Sequence, residues 1–233
     1  MVDFAGETHL GTTLDHNEDA IGWSIPLRLW LVADGMGGQA SGEVASRIVK
    51  ETVLKRFKAG DDDIAAVILQ AHRAVLEAAA ADEHRRGMGS TLVLARLRDG
   101  SCQVGWCGDS RAYLWRDGRL LRLTRDHSLL EELIAAGELT PENARSDRRQ
   151  RVLRQALGAP TFTPLPEVSN FPVQTGDLVV LCSDGLHDTL SDDEIAEVLR
   201  GNPDPNTASQ GLVKAALDHQ AEDNVSVVAI RCA

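Results

Sequence analysis

Several absences bound this 233-residue chain before any motif is read. No apolar run approaches the roughly 18 to 20 residues that a membrane-spanning helix needs. The four cysteines (Cys102, Cys107, Cys182 and Cys232) include no CxxC spacing, which removes the usual zinc and dithiol motifs. They sit in or beside apolar runs and are expected to be small core residues in a reducing cytosol. Positive charge is scarce too, the formal net charge being -11. Such a surface repels nucleic-acid phosphates and anionic membranes, so neither is an expected partner. Residues 1–25 lack a basic start followed by an apolar stretch, so no secretory leader and a cytoplasmic location are expected. There is no repeat, linker or low-complexity segment, and the chain reads as one domain over 1–233.

What is present is organised around Leu29-Trp30-Leu31-Val32-Ala33-Asp34-Gly35-Met36-Gly37-Gly38. Its first five residues read as a buried strand that delivers Asp34 to a sheet end. Leu178 to Asp184-Gly185 repeats the pattern, and two such Asp-Gly ends suggest a cation shared between them. Strands are further expected near 7–12 and 20–24. A helical hairpin follows, with Val49, Val53 and Phe57 on one inner face and Val67, Ala71 and Val75 on the other. Residues 90–124 read as an antiparallel meander turning at Asp99-Gly100 and Asp117-Gly118. Residues 125–160 are polar, with helical fragments at 128–136 and 147–157, and read as a surface excursion. Strands over 168–171, 178–182 and 225–230 and helices opened by a Ser191–Glu194 capping box and by Asp204-Pro205 complete the pattern. The sum is sheets covered by helices.

Acidic residues recur at strand ends: Glu18 and Asp19, Asp34, Asp109, Asp184 and Asp223. Singly, each could be a turn residue or a cap. Together they form an all-oxygen ligand set, which suits Mg²⁺ or Mn²⁺ rather than zinc. Two such ions about 3.5 to 4 Å apart make a hydrolytic site. The lone histidines 72, 84, 187 and 219 read as surface or helix-end residues, and His127 as a turn-fixing residue. Trp30, Trp106 and Trp115 read as packing, and Arg148, Arg149, Arg151 and Arg154 as a solvated helix face or a phosphopeptide contact.

Asn17-Glu18-Asp19, Val32-Ala33-Asp34-Gly35-Met36-Gly37-Gly38, Met88-Gly89-Ser90-Thr91 and Gly108-Asp109-Ser110-Arg111 follow in order along the chain. Thr124-Arg125-Asp126-His127-Ser128, Cys182-Ser183-Asp184-Gly185-Leu186 and Glu222-Asp223-Asn224-Val225-Ser226 complete the series. In this order they resemble the motifs of the metal-dependent PP2C-type (PPM) protein phosphatases, bacterial type, from about residue 6 to 231. The resemblance implies an α+β fold, a four-layer α-β-β-α sandwich of two antiparallel-rich sheets flanked by helix pairs, with a flap over about 125–160. It implies that Asp34 bridges two Mn²⁺ or Mg²⁺ ions and that Gly35 ligates one through its carbonyl. Glu18, Asp184 and Asp223 complete the other ion's set, with Asp19 in it or just behind. Asp109 resembles the holder of a third, weaker ion. Catalysis then belongs to Asp34, Asp184 and Asp223, which serve a water acidified by the ions; no side-chain nucleophile is required. The implied activity is hydrolysis of phosphoserine and phosphothreonine in proteins by a monomer opposing a Ser/Thr kinase.

Two positions depart from the family pattern. Met36 stands where eukaryotic relatives have His. Leu14 stands where the family has an Arg that grips the substrate phosphate; His16 and Arg145 are candidate substitutes. Leu14 therefore keeps open a pseudophosphatase that binds phosphoproteins without turnover. A phosphatase for small phosphate esters is a second rival.

Overall fold

The computed structural model describes residues 2–37, 41–140, 143, 147, 149, 152–161 and 163–232. Among the described residues eleven strands form two antiparallel sheets. The first sheet runs β1 (Asp3–His9), β11 (Val225–Arg231), β10 (Leu178–Cys182), β7 (Arg111–Arg116) and β8 (Arg119–Arg122). The second runs β2 (Asp19–Ser24), β3 (Leu29–Met36), β5 (Leu92–Arg98), β6 (Ser101–Cys107) and β9 (Glu167–Pro172), with the short β4 (Gly89–Ser90) on the end of β3. Apolar runs in β3, β10 and β11 are buried on both faces, because each sheet is packed on its sister and on helices.

Three apolar layers hold the stack together. Trp30, Val93, Trp106, Leu114, Val179 and Ile230 fill the space between the sheets. The helical hairpin of α1 (Ser41–Lys58) and α2 (Ile64–Ala81) closes the second sheet with Val49, Val53, Phe57, Val67, Ala71 and Val75, largely as the periodicity requires. On the first sheet, α5 (Asp192–Gly201) and α6 (Pro205–Asp218) insert Ile195, Leu199, Leu212 and Val213. The four-layer α-β-β-α sandwich is thus present. The Ser191–Glu194 capping box forms in both directions, and Asp204 caps α6 ahead of Pro205. All four cysteines are buried free thiols. α2, with mean hydropathy 1.4 over 18 residues, is long and apolar enough to cross a membrane by length and composition. Here its apolar face packs on a sheet instead.

Four expectations need correction. The stretch 90–124 is not one meander: β5–β6 pair in one sheet and β7–β8 in the other. The chain changes sheets at Gly108–Ser110, which makes this crossing point part of the site described below. The helix expected over 147–157 is absent among the described residues; Leu153 and Leu157 form β-bridges with Ser128 and Ser90. The 125–160 segment is also less of a surface excursion than its polarity implies, since Leu157 is fully buried and Ala156 and Leu130, on α3 (Leu129–Ala135), nearly so. Finally, His72 is buried in the middle of α2, whereas His84 and His219 are exposed and His187 ends a helix as expected, its side chain 3% exposed.

At the far end of the first sheet, Arg116 donates to Asp177 through Nε (2.8 Å) and Nη2 (2.5 Å), and Gln174 N adds a third bond. Burial opposes the Asp177 charge, but Arg116 and the Gln174 amide hold its carboxyl below the ordinary value of 3.8. A folded-state value below the unfolded one stabilises at pH above 3.8 and is lost as pH falls through the lower, folded value. Asp177→Asn is therefore expected to cost about 1–3 kcal/mol at pH 7. Thermal melts at pH 7 and pH 3 check this, the gap between variant and wild type narrowing at the lower pH.

Candidate active site

Both apolar strands that drive into Asp-Gly end on the same side of the sandwich. Asp34 lies opposite Asp19 in the β2–β3 register, so their side chains share a face. Asp184 follows β10 and opens the one-turn helix α4 (Asp184–His187). Its carboxyl meets that of Asp34 within hydrogen-bonding distance, although they come from different sheets. Asp223, on the approach to β11, lies within electrostatic reach of Glu18, Asp19 and Asp184. Asp109, at the sheet-to-sheet crossing, faces Asp34 and Asp184 in the same way.

Backbone and hydroxyl groups hold this ring in place. Gly35 N donates to Glu18 O (3.1 Å), and Glu18 N donates to Asn224 Oδ1 (2.7 Å). Asn224 Nδ2 donates to the carbonyls of Leu10 and His16, pinning the β1–β2 loop to the loop that carries Asp223. Ser183 Oγ donates to Asp19 Oδ2 (2.7 Å) and accepts from Ser226 N. Thr91 Oγ1 accepts from Asp34 N and shares a 2.6 Å bond with Ser110 Oγ, tying the Asp34 strand to the Asp109 loop. Buried His187 donates from Nε2 to the Asp109 carbonyl (3.0 Å). Thr91, Ser110, Ser183, Asn224 and Ser226 stand out in the sequence only as parts of motifs, and His187 ends a short helix as expected, with its side chain turned inward. A small hydroxyl or amide beside each acidic residue was the available signal.

The charges are crowded. Burial, then Asp184, Asp19 and Asp109, push the Asp34 carboxyl well above its ordinary range. Burial drives Asp19 up to about 8 against bonds from Ser226 and Ser183, with Asp184 and Asp223 adding repulsion. Burial, Asp188 and Asp223 raise Asp184 to about 6. Asp109 is raised by burial, Asp184, Asp126 and Asp188. Glu18 is raised by burial, partly offset by the Gly42 N–H at the start of α1.

A divalent cation fits this arrangement chemically. The donors are all oxygens, and Asp184 Oδ1 is a buried acceptor with no hydrogen-bond partner. Among the described residues no three His, Cys, Asp or Glu side chains close on one point; Asp34 and Asp184 meet as a pair, with the other carboxylates within electrostatic reach. Gly35 belongs to the ring by necessity: a Cβ there would stand 2.1 Å from Gly42 O and 2.6 Å from Glu18 O. Of the expected phosphate contacts, His16 is exposed on the β1–β2 loop and within electrostatic reach of Glu18. Arg145 lies outside the described residues, as do Arg148 and Arg151. Arg149 pairs with Asp147 and Arg154 with Glu132.

A four-layer α-β-β-α sandwich that gathers buried carboxylates from both sheets at one end has the architecture of the metal-dependent protein phosphatases. Residues 5–218 match the family model for protein phosphatase 2C, and the chain belongs to that family. It is 33% identical to the serine/threonine protein phosphatase PstP of Mycobacterium tuberculosis over 98% of this chain but 44% of that protein, so it spans less than half of that relative. It is 31% identical to the serine/threonine phosphatase stp of Listeria monocytogenes, over 96% of this chain and 93% of the relative. The crystal structure of Stp1 from Staphylococcus aureus superposes with a TM-score of 0.93 at 28% identity, covering 100% of this chain and 96% of that one. The PstP catalytic domain in complex with two manganese ions superposes at 0.87 with 30% identity, covering 99% and 97%.

Proposed function

We propose that this chain is a Mn²⁺- or Mg²⁺-dependent phosphatase that hydrolyses phosphoserine and phosphothreonine in proteins. The observation that carries the reading is the meeting of Asp34 and Asp184, from different sheets, inside a ring completed by Asp19, Asp109, Asp223 and Glu18. In this reading Asp34 and the Gly35 carbonyl would be among the residues that hold the ions, Asp34 shared between both and Gly35 on one. Glu18, Asp184 and Asp223 would hold the other, with Asp19 beside them. Asp109 would hold a third, weaker ion. Bound divalent ions supply an acidified water and positive charge for the phosphoryl oxygens.

The chain's own residues then do three things. Asp34, Asp184 and Asp223 bind and orient. Ser183 holds the Asp19 carboxylate, while Thr91 and Asn224 fix the backbone at Asp34 and Glu18. The packed sheet ends leave these carboxylates half-buried, and the lower local polarity strengthens the charge interactions among them. None of the four buried cysteines is poised as a nucleophile: burial pushes Cys102, Cys107 and Cys182 up to about 12 and Cys232 up to about 11. The same reading makes the protein a cytoplasmic monomer whose partners are phosphoproteins and the kinase that generates them. Similarity to relatives named as Ser/Thr phosphatases supports turnover over mere binding, against the departure at Leu14.

The test is hydrolysis of a phosphothreonine peptide and of p-nitrophenyl phosphate, with Mn²⁺ and with EDTA. Metal-dependent turnover of the peptide well above that of the ester supports the reading; turnover unaffected by EDTA, or confined to the ester, overturns it. Leu14 is 42% exposed on the β1–β2 loop, so an arginine there meets no steric bar. A charge-assisted hydrogen bond contributes roughly 1.5–3 kcal/mol, so Leu14→Arg is expected to lower the peptide KM by about 10-fold or more. Steady-state kinetics decide it, and an unchanged or higher KM means that no phosphate grip is missing.

A further inference from the structure

The 125–160 segment is stitched to the site at both of its ends, and each stitch uses a buried histidine. At the entry, His127 N donates to Gly108 O (2.9 Å) and Gly108 N donates back to His127 Nδ1 (3.2 Å). The same ring lies over Trp106 and donates from Nε2 to Glu167. At the exit, Leu157 and Ser90 exchange both backbone hydrogen bonds (2.8 and 2.9 Å), and Ser90 pairs with Gly35 on β3. The next residue, Gly158, donates its N–H to Nδ1 of His72 (3.0 Å).

His72 is the polar member of the buried face of α2, whose other buried positions are Ile64, Val67, Ile68, Ala71 and Val75. It is 5% exposed. Gly158 has φ +89, and a Cβ there would stand 2.4 Å from Val75 Cγ1 and 2.9 Å from Met88 O. The chain therefore comes down onto α2 as closely as a backbone can, and the imidazole meets it. Nδ1 accepts, so the ring is the neutral tautomer with its proton on Nε2. Burial, aided by the neighbouring Arg73, pushes the ring below its ordinary range and keeps it a neutral acceptor.

We propose that His72 is a positioning residue for substrate. By accepting from Gly158 it fixes the exit of the 125–160 segment onto β4, and through Ser90 onto the strand end that carries Asp34 and Gly35. This rests on the phosphatase reading for what the segment faces, but the tether itself does not. A loosened exit leaves the carboxylate ring intact and blurs only the wall against which a phosphoprotein docks. Small esters, which do not reach that wall, are indifferent to it.

Three variants test this. His72→Leu removes the acceptor, His72→Asn places Oδ1 near the position of Nδ1, and His72→Phe keeps a ring without an acceptor should the leucine protein not fold. In amide hydrogen exchange, Gly158 and Leu157 are expected to lose about 10-fold or more protection in the leucine or phenylalanine protein and to regain it in the asparagine protein. With Mn²⁺, the phosphopeptide KM is expected to rise about 10-fold in the same variants, with kcat and both constants for p-nitrophenyl phosphate within about twofold of wild type. Unchanged exchange at Gly158, an asparagine protein no better than leucine, or equal losses on both substrates would each overturn the proposal. A wild-type protein inert toward both substrates sinks the phosphatase reading and the substrate half of this one, while exchange still decides whether His72 holds the segment.

Discussion

Asp34→Asn is expected to abolish metal-dependent phosphate hydrolysis, with kcat falling by about 10³-fold or more while the fold persists. The magnitude follows from position. Removing a single preorganised group that stabilises developing charge already costs about 10²–10³-fold in other enzymes. Asp34 does more than one such group, because it lies at the junction of both sheets, against Asp184 and within reach of Asp19 and Asp109. Asparagine is nearly the same size, and Asp34 N still donates to Thr91 Oγ1, so the strand end keeps its shape. Circular dichroism like that of wild type together with lost turnover of phosphopeptide and ester is the expected pair of results. Activity within tenfold of wild type would remove Asp34 from the chemistry.

The second large effect is one of opposite signs. Mn²⁺ at about 100 times its dissociation constant adds about 2.7 kcal/mol to the stability of the protein that binds it. For a domain of this size that corresponds to a rise in Tm of about 5–10 °C. Asp184→Asn should cancel this rise, since it removes a ligand. In EDTA, however, the same variant should melt above wild type. Asp184 is buried against Asp34, Asp188 and Asp223, and its Oδ1 has no partner, so the metal-free protein carries a repulsion that the amide relieves. Differential scanning calorimetry of both proteins, with Mn²⁺ and with EDTA, reads both signs at once. A variant that melts lower in EDTA, or still responds to Mn²⁺, would show that Asp184 is a structural carboxylate.

Much of this was legible in the residues themselves. Runs such as Leu29–Ala33 and Leu178–Cys182 are apolar without alternation because both of their faces are covered, and the observed strands lie there. Asp99-Gly100 and Asp117-Gly118 turn as left-handed pairs, with φ between 46 and 76, as short hairpins demand. Sheet membership was not legible. β5–β6 and β7–β8 are two similar hairpins in sequence, and only the long-range pairing of β7 with β10 assigns them to different sheets. Residues 147–157 failed for a related reason: Leu153 and Leu157 have helical spacing, yet each is used as a bridge partner by a distant serine. His72 was misplaced, and the inward turn of the helix-end His187 side chain not foreseen, because an isolated histidine carries no local mark of burial. Each is buried for a backbone group elsewhere in the chain, Gly158 N–H and the Asp109 carbonyl.

The most direct measurement is anomalous diffraction at the manganese edge from crystals grown with Mn²⁺. Two peaks about 3.5–4 Å apart, between the side chains of Asp34 and Asp184 and both gone in Asp34→Asn, are the expected result. Manganese bound only at the outer surface, with Asp34, Asp184 and Asp223 turned away from any common ion, would contradict it.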